Sequence, residues 1–230
     1  MNVELDDRYT TGEYLSSTGG TWHLEDSPYK ADQIMRILQR HPLDLRTVCE
    51  IGCGAGGILA ELSKRLGDSV QFVGYDISPQ AHKISQQFRR PNINFVLGDA
   101  FADQEVFDLV LIMDVVEHVE DCFGFLRNVK QKGTYKIYHL PLEISCSSAL
   151  RDSFMNSWRQ VGHIHRFSES TALEILRSTG HEIVDYVFTP GALSLAKTSR
   201  TKFANLFRRM FPPRLATRLF GGYSILILAK

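Results

Sequence analysis

The stretch Val48-Cys-Glu-Ile-Gly-Cys-Gly-Ala-Gly-Gly57 decides the fold of this chain. An apolar run ends at Ile51, and glycines follow at four of the next six positions. Apolar residues then recur with helical spacing at Ile58, Leu59, Leu62 and Leu66. The pattern predicts a strand, a tight turn and a helix. Since glycine lets the backbone turn sharply and approach a ligand closely, such a turn after a central strand is typical of a nucleotide-binding site.

The same alternation of strand and helix patterns continues outward from this stretch. Pro28 starts a helix before the first strand, and Pro42 stops it. Later helices are predicted over 79–90, 121–131 and 168–180, and later strands over 70–75, 93–97, 107–113, 135–140, 182–188 and 223–229. The prediction is a Rossmann-like α/β fold: a seven-stranded, mostly parallel sheet with helices on both faces and an antiparallel strand seven.

The length of 230 residues favours one domain. We divide it into an aromatic, helical N-terminal extension or lid (1–44), a cofactor-binding core (45–190), an insert (191–222) and the last strand (223–230). Basic and apolar residues alternate over 200–218, which predicts a basic amphipathic helix in the insert. That helix is expected to present a solvated face or to cover a pocket, with contact to a membrane surface as a further alternative.

Composition excludes several classes of function. The 26 basic and 26 acidic residues balance, so a nucleic-acid partner is not expected. Neither a membrane-spanning run nor a signal-peptide pattern is present in the sequence. Four cysteines form no CxxC pair: Cys49, Cys53, Cys122 and Cys146. They are interpreted as reduced thiols, and the expected location is the cytoplasm.

Three acidic residues follow predicted strands and should face one crevice. Asp76 ends the second strand, Asp99 follows the third, and Asp114 follows the fourth. A carboxylate at the first of these positions can accept hydrogen bonds from both ribose hydroxyls, and one at the second can accept from an adenine amino group. Together they indicate an adenosine site.

At this point the chain resembles the class I S-adenosylmethionine-dependent methyltransferases over most of its length. Glu50–Gly56 is similar to their first motif, Tyr75–Ser78 to the ribose-binding motif, and Gly98–Ala100 to the adenine-binding motif. Asp108–Val119 is similar to their stretch at strand four. Within it, Asp114–Val119 resembles the small-molecule branch of the family, such as the ubiquinone-pathway O-methyltransferases.

The resemblance implies that the cofactor is S-adenosyl-L-methionine. By the same resemblance, Gly52 and Gly54 line its methionine part, Asp76 holds the ribose, and Asp99 with Ala100 contacts the adenine. The complete set of expected cofactor-binding residues is Glu50, Gly52, Cys53, Gly54, Asp76, Ile77, Asp99, Ala100, Met113 and Asp114. The expected reaction is methyl transfer to a small-molecule or glycan- or lipid-linked acceptor, with O-methylation preferred.

Histidines supply the candidates for catalysis and substrate binding. His118, just after strand four, is the candidate general base, with a packing or cofactor-contacting role as the alternative. Trp22, His23, His163 and His165 are candidate substrate contacts. Asp114-Val-Val-Glu-His118 with a later histidine also resembles the metal-dependent small-RNA 2′-O-methyltransferases. We nevertheless expect structural or substrate-contacting histidines and no metal.

Two other functions fit parts of the sequence. Gly52–Gly57 also satisfies the GxGxxG pattern of NAD(P)-dependent oxidoreductases, although Glu50 and Gly98-Asp99 fit the methyltransferase pattern better. A catalytically silent protein that retains the cofactor fold is the second alternative. The acceptor, the pathway and the oligomeric state, including a homodimer, are left open by the sequence.

Overall fold

The computed structural model describes residues 22, 24–151, 153–190 and 210–230. Its strands are β1 (Thr47–Ile51), β2 (Gln71–Asp76), β3 (Ile93–Leu97), β4 (Phe107–Met113), β5 (Gly133–Leu142), β6 (Ile183–Thr189) and β7 (Tyr223–Ala229). Its α-helices are α1 (Ser27–Arg40), α2 (Gly57–Leu66), α3 (Pro79–Ser85), α4 (Cys122–Lys132), α5 (Cys146–Leu150), α6 (Ser153–Val161), α7 (Glu169–Ser178) and α8 (Pro213–Phe220). Short 3₁₀ helices lie at Leu24–Asp26, Gln86–Phe88 and Val116–His118.

The strands form one seven-stranded sheet in the order β3-β2-β1-β4-β5-β7-β6. β1 pairs in parallel with both β2 and β4, and β2 pairs in parallel with β3. β6 and β7 pair antiparallel, with a register shift between Ile183 and Asp185. The predicted fold class, a mostly parallel Rossmann-like sheet that finishes with an antiparallel pair, is confirmed.

Contacts between Cα atoms divide the chain into two compact units. The first unit holds the residues up to Met113, together with Asn128–Ile137 and Lys230. The second unit holds Asp114–Arg127 and Tyr138–Ala229. In the first, the core contains the apolar side chains of β1 and β4, which are buried from Val48 to Ile51 and from Leu109 to Met113. In the second, all seven residues of β7 are buried.

Local sequence signals place the helix ends. Pro28 lies in the first turn of α1, where its missing N–H costs no hydrogen bond. The side chain of Ser78 caps α3 by accepting a hydrogen bond from the backbone N–H of Ala81. Ser168 and Thr171 form a reciprocal capping box at the start of α7. These are the residue types that sequence reasoning uses to start a helix.

The structure differs from the sequence predictions at three element boundaries. β5 runs from Gly133 to Leu142, through Pro141, and so extends beyond both ends of the strand predicted over 135–140. α5 and α6 lie between the predicted strand over 135–140 and the predicted helix over 168–180, where no helix was predicted. A Ser145–Ser148 capping box starts α5. The helix predicted over 79–90 is α-helical only to Ser85 and then changes to 3₁₀ geometry.

The predicted insert is described only in part. Residues 191–209 lie outside the described residues, and α8 forms the helix that follows them. Two basic side chains of α8 point toward Glu169 of α7: Arg214 Nε lies 2.7 Å, and Arg218 Nη2 3.9 Å, from Glu169 Oε2. The described helices include none that is long and apolar enough to cross a membrane.

Candidate functional site: a glycine turn and a histidine cluster

The glycine turn after β1 is hydrogen-bonded to the end of β2. Gly52, Gly54 and Gly56 all have left-handed backbone conformations, with φ of 70°, 53° and 79°. The backbone N–H groups of Gly52 and Cys53 both donate to the carbonyl of Tyr75, at 2.9 and 3.0 Å. The turn therefore has a fixed place at the carboxyl end of two neighbouring parallel strands, which is where α/β sheets bind ligands.

Residues before α1 pack directly on this turn. A Cβ atom added to Gly54 would lie 2.6 Å from Cδ1 and 2.8 Å from Nε1 of Trp22, and one added to Gly57 would lie 2.7 Å from Cδ2 of Leu24. Glycine is thus required at both positions to admit these side chains. Trp22, a candidate substrate contact, lies against the glycine turn, whereas His23 lies outside the described residues.

Asp76 joins the turn to the loop after β2. Its carboxylate accepts hydrogen bonds from the backbone N–H groups of Gly54, at 2.7 Å to Oδ2, and of Ser78, at 2.8 Å to Oδ1. Burial raises the pKa of Asp76, and these two hydrogen bonds oppose the increase. The structure therefore brings Gly54 and Asp76 into direct contact, as a shared ligand site requires.

Glu50 places a second carboxyl group under the turn. Its side chain is 1% exposed, and its Oε2 atom is buried without a hydrogen-bond partner among the described residues. Burial raises the pKa of Glu50 to about 8, Lys30 opposes the increase, and the charge of Asp76 adds to it. A buried acceptor oxygen of this kind fits a ligand that carries an ammonium group, because such a ligand would satisfy it.

An exposed apolar surface lies beside the adenine-type motif. Ile77 is 46% exposed and Leu97 is 47% exposed, although large apolar side chains are usually covered in a folded core. Ala100 is buried, whereas Asp99 is exposed and accepts a hydrogen bond from the backbone N–H of Phe101 at 2.9 Å. An apolar shelf next to an exposed carboxylate suits the flat face and the amino edge of a purine.

Cys53, within the turn, is buried in the first unit. Burial raises the pKa of its thiol well above the ordinary value, so the sulfur stays protonated at neutral pH. Its Sγ atom lies 3.8 Å from the carbonyl oxygen of Gly54. Cys53 thus packs the turn as a small apolar group, and its backbone is the part that can face a ligand.

Met113 is the last residue of β4, and Asp114 follows the strand, as predicted. Met113 is buried, and Asp114 adopts a left-handed conformation with φ of 58°, which is uncommon for a residue other than glycine. Its N–H donates to the carbonyl of His139 at 3.0 Å, and its Oδ1 lies 2.6 Å from His139 Nδ1. His139 Nε2 lies 2.9 Å from the hydroxyl of Thr189. His139 was not predicted from the sequence. The feature that could have pointed to it is a histidine inside an otherwise apolar part of a strand.

A cluster of ionisable side chains lies in the second unit. One potential ligand atom from each of Glu117, His118 and His163 lies within 4.8 Å of the other two. The His118 and His163 rings meet edge to face, with centroids 4.8 Å apart. Glu117 is fully buried. We call these three residues the Glu-His-His cluster.

His118, the candidate base, has a defined tautomer in this cluster. Its Nδ1 lies 3.2 Å from the carbonyl oxygen of Gly162, and because a carbonyl only accepts, Nδ1 carries the proton. Burial lowers the pKa of His118 to about 4, the neighbouring His163 adds to the decrease, and the hydrogen bond to Gly162 opposes it. The neutral imidazole is therefore a weak base at physiological pH.

His163 and His165 have different surroundings. His163 Nδ1 lies 2.9 Å from Glu143 Oε1, which also accepts from the hydroxyl of Ser157 at 2.9 Å. Burial alone would raise the pKa of Glu143, but these hydrogen bonds and the charge of Arg166 hold it below its ordinary value. His165 Nε2 instead donates to the carbonyl of Val119 at 2.9 Å. Of these two histidines, His163 belongs to the cluster and His165 does not.

Comparison with known proteins identifies the family. A family model described as a methyltransferase domain matches residues 22–186, well over half of the chain. The chain therefore belongs to this methyltransferase family.

Two curated relatives match a shorter part of the chain. One is the norajmaline N-methyltransferase of Rauvolfia serpentina, which is 33% identical over 92 residues, or 36% of this chain and 31% of that protein. The other is a ubiquinone biosynthesis O-methyltransferase of Rhodopseudomonas palustris, 36% identical over 105 residues, or 41% of this chain and 40% of that protein. The matches thus span less than half the length of these relatives.

A solved structure matches nearly the whole chain. Magnesium protoporphyrin IX methyltransferase from Synechocystis PCC 6803, with S-adenosylhomocysteine bound, superposes with a TM-score of 0.60 at 17% identity. The match covers 88% of this chain and 82% of that one. At this identity the likeness shows the fold, which is that of class I methyltransferases.

Proposed function

We propose that this chain transfers the methyl group of S-adenosyl-L-methionine to a small-molecule acceptor. The observation that carries the proposal is the pair of carboxyl groups around the glycine turn. Asp76 is hydrogen-bonded to Gly54 of the turn, and Glu50 keeps a buried oxygen without a hydrogen-bond partner among the described residues. A ligand with a ribose and an ammonium group uses both, and S-adenosylmethionine carries both groups.

The first unit supplies the proposed cofactor contacts other than Asp114. The backbone of Gly52, Cys53 and Gly54 is expected to face the methionine part, with Glu50 beneath its ammonium group. Asp76 is expected to accept from the ribose hydroxyls, Ile77 to lie against the adenine face, and Asp99 with Ala100 to contact its edge. Met113, the last residue of β4, completes the contacts from this unit, and Asp114, which follows β4, is a proposed contact on the grounds of the sequence resemblance.

The bound cofactor supplies an electrophilic methyl group on a positively charged sulfur. The protein's part is to hold the acceptor in line with that methyl group, because positioning alone accounts for much of the rate in such a transfer. His118 remains the proposed base, although its lowered pKa makes it weak. Trp22, His23, His163 and His165 remain proposed acceptor contacts.

The acceptor atom is proposed to be oxygen, as in the ubiquinone-pathway relative, and the acceptor a small molecule or a glycan- or lipid-linked intermediate. The norajmaline relative transfers to nitrogen, so the test must present both kinds of acceptor. Phenols and secondary amines of similar size are suitable, since they differ in the nucleophilic atom but not in bulk.

The experiment incubates the purified chain with S-adenosylmethionine and each acceptor class, and follows the added methyl group by mass spectrometry. Asp76→Ala is the test variant. Asp68→Ala is its control, because Asp68 is exposed and lies just before the opposite end of the same strand. We expect methylated product with the parent and with Asp68→Ala, and a loss of at least tenfold in Asp76→Ala. Equal turnover in both variants would overturn the assignment of Asp76.

A further inference from the structure

The second unit contains an open cavity of about 330 Å³. Its walls come from the end of β5, from α5 and α6, and from the chain that joins α8 to β7. The described lining residues all lie between Pro141 and Ser224, so the cavity belongs to this unit alone. Cavities of roughly 300 to 1,000 Å³ are typical of small-molecule sites, so this one has room for a small ligand.

Hydroxyl groups make up most of the polar lining. Six of the lining side chains carry one: Ser145, Ser148, Ser153, Ser157, Tyr223 and Ser224. The first two bond each other in the capping box of α5. Ser153 donates to the carbonyl of Ser148 at 3.2 Å, and Ser157 donates to Glu143 Oε1 at 2.9 Å. The fold therefore uses the donors of these four serines.

The remaining two hydroxyls, on Tyr223 and Ser224 at the start of β7, are not used by the fold. Tyr223 is 8% exposed and Ser224 is 7% exposed, yet neither hydroxyl makes a hydrogen bond to another of the described residues. Neither oxygen is fully enclosed, and both residues line the cavity. Because a hydroxyl both donates and accepts, this pair suits a ligand that itself carries hydroxyl groups.

The charges of the lining balance and already have partners in the protein. Among the described lining residues, Glu143 carries the negative charge and Arg151 the positive one. Glu143 is hydrogen-bonded to His163 and Ser157, and Arg151 donates to the carbonyl and the hydroxyl of Ser147. A wall with one charge of each sign does not select a ligand of either charge, so the lining favours a neutral polar one.

Aromatic rings and glycine backbone form the rest of the wall. The rings of Phe154 and Tyr223 line the cavity, and an aromatic face packs well against the C–H groups of a ligand. Gly221 also lines it, with φ of 66°, and a Cβ added there would lie 3.1 Å from Ser145 Oγ. Glycine thus lets the chain that enters β7 pass close to α5.

From this lining we infer that the cavity binds a neutral, polyhydroxylated ligand of the sugar class. The sugar's hydroxyls would pair with Tyr223 and Ser224, and its C–H face would lie against Phe154. A sugar can bind there as the methyl acceptor, which rests on the proposed function, or as a ligand that is not methylated. Binding itself is independent of methyl transfer, so the site is tested without the cofactor.

The test titrates the full chain with glucose, galactose, mannose and xylose, followed by saturation-transfer NMR. Glucosamine and glucuronate are the charged counterparts. We expect at least one neutral sugar to bind, and at least tenfold more tightly than either charged sugar.

The test variants each remove one hydroxyl and keep the rest of the wall: Tyr223→Phe and Ser224→Ala. Their controls are Tyr135→Phe, in the first unit, and Ser170→Ala, at an exposed position of α7. Each test variant should bind the sugar about three- to tenfold more weakly, because it loses one neutral hydrogen bond, and the controls should match the parent. Circular dichroism and thermal unfolding establish that each variant is folded.

A parent that binds none of the neutral sugars, or binds a charged sugar equally well, would overturn the sugar site. Unchanged affinity in both test variants would overturn it too. Adding S-adenosylmethionine and measuring the mass of the bound sugar separates the two kinds of ligand, and both results support the site. A methylated sugar is an acceptor, and an unmodified one is a ligand that does not react. A parallel titration with S-adenosylhomocysteine shows separately whether the proposed function fails.

Discussion

The glycine turn and the Glu-His-His cluster are built in opposite ways. The turn is one contiguous stretch whose shape comes from backbone conformation: three glycines with positive φ and two N–H groups directed at Tyr75. The cluster draws side chains from two segments, and Glu143 from a third supports it. The glycine turn keeps its shape because its glycines have no Cβ atoms. The cluster keeps its shape because its side chains have hydrogen-bond partners.

This difference predicts different ways to damage the two regions. Adding a small group should harm the turn, because Trp22 and Phe95 already occupy the space beside its glycines. In the second unit, removing one hydrogen-bond partner should do the harm, because buried polar groups are then left unsatisfied. The four predictions below run from the largest expected effect to the smallest.

Gly56→Ala should destabilise the protein most. The new Cβ would lie 2.6 Å from Cζ of Phe95, and φ at this position is 79°. Overpacking and left-handed strain together should cost about 2–4 kcal/mol, measured by urea unfolding. Gly67→Ala is the matched control, because Gly67 has φ of 86° but no heavy atom within 4 Å of an added Cβ. It should cost only about 1 kcal/mol, and equal losses would show that Phe95 is not the cause.

His139→Phe should be the most damaging of the partner-removing changes in the second unit. It deletes the ring that bridges Asp114 Oδ1 and the Thr189 hydroxyl while it keeps most of the volume. We expect a loss of about 2–3 kcal/mol, since one of the bonds involves a carboxylate. Thr189→Val removes only the neutral bond and should cost about 1 kcal/mol. The reverse order would mean that the bond to Asp114 does not hold this loop.

Glu50→Gln should change how stability depends on pH. The pKa of Glu50 is about 8 in the folded protein and has an ordinary value of 4.5 when exposed. Between these values the folded state binds more protons than the unfolded state, so the parent loses stability as pH rises. Relative to the parent, Glu50→Gln should therefore be more stable at pH 8 than at pH 6, by about 2 kcal/mol.

The control for this measurement is Glu105→Gln, which changes an exposed carboxylate of the same unit. Its unfolding free energy should follow the parent curve at both pH values. Parallel curves for the parent and Glu50→Gln would show that Glu50 is ionised in the folded protein despite its burial, and would contradict the raised pKa.

The smallest effects should come from one helix cap in each unit. Ser78→Ala removes the cap of α3, and Ser168→Ala removes that of α7. Each should cost about 1 kcal/mol of unfolding free energy, because one backbone N–H at the helix start loses its acceptor. Ser78 is fully buried, so its loss should be the larger of the two. If Ser168→Ala cost more, the reciprocal capping box with Thr171 would stabilise its helix more than the single Ser78 cap stabilises α3.

Sequence alone predicted the turn far better than the cluster, for a physical reason. Glycines at close spacing and an acid 22 residues beyond Gly54 act through backbone geometry, which local sequence encodes directly. Glu50, Gly54 and Asp76 were therefore all named in advance. The fold class followed from the same kind of signal, a period that changes between strands and helices along the chain.

The functional residues that the sequence did not predict lie in the second unit. Glu143 and His139 each became informative only once the chain was folded, because their partners are 20 and 25 residues away. His163 and His165 look equivalent in sequence, yet one bonds Glu143 and the other the Val119 carbonyl. Which histidine joins a cluster is decided by long-range packing, and residue spacing carries no information about it.

The central claim is that the glycine turn is an S-adenosyl site, and thermal unfolding of the purified chain with S-adenosylhomocysteine tests it most directly. At about a hundredfold over its dissociation constant the ligand should add roughly 2.7 kcal/mol of stability, whereas nicotinamide dinucleotides at the same concentration should add none. Stabilisation by a dinucleotide and not by S-adenosylhomocysteine would contradict the claim.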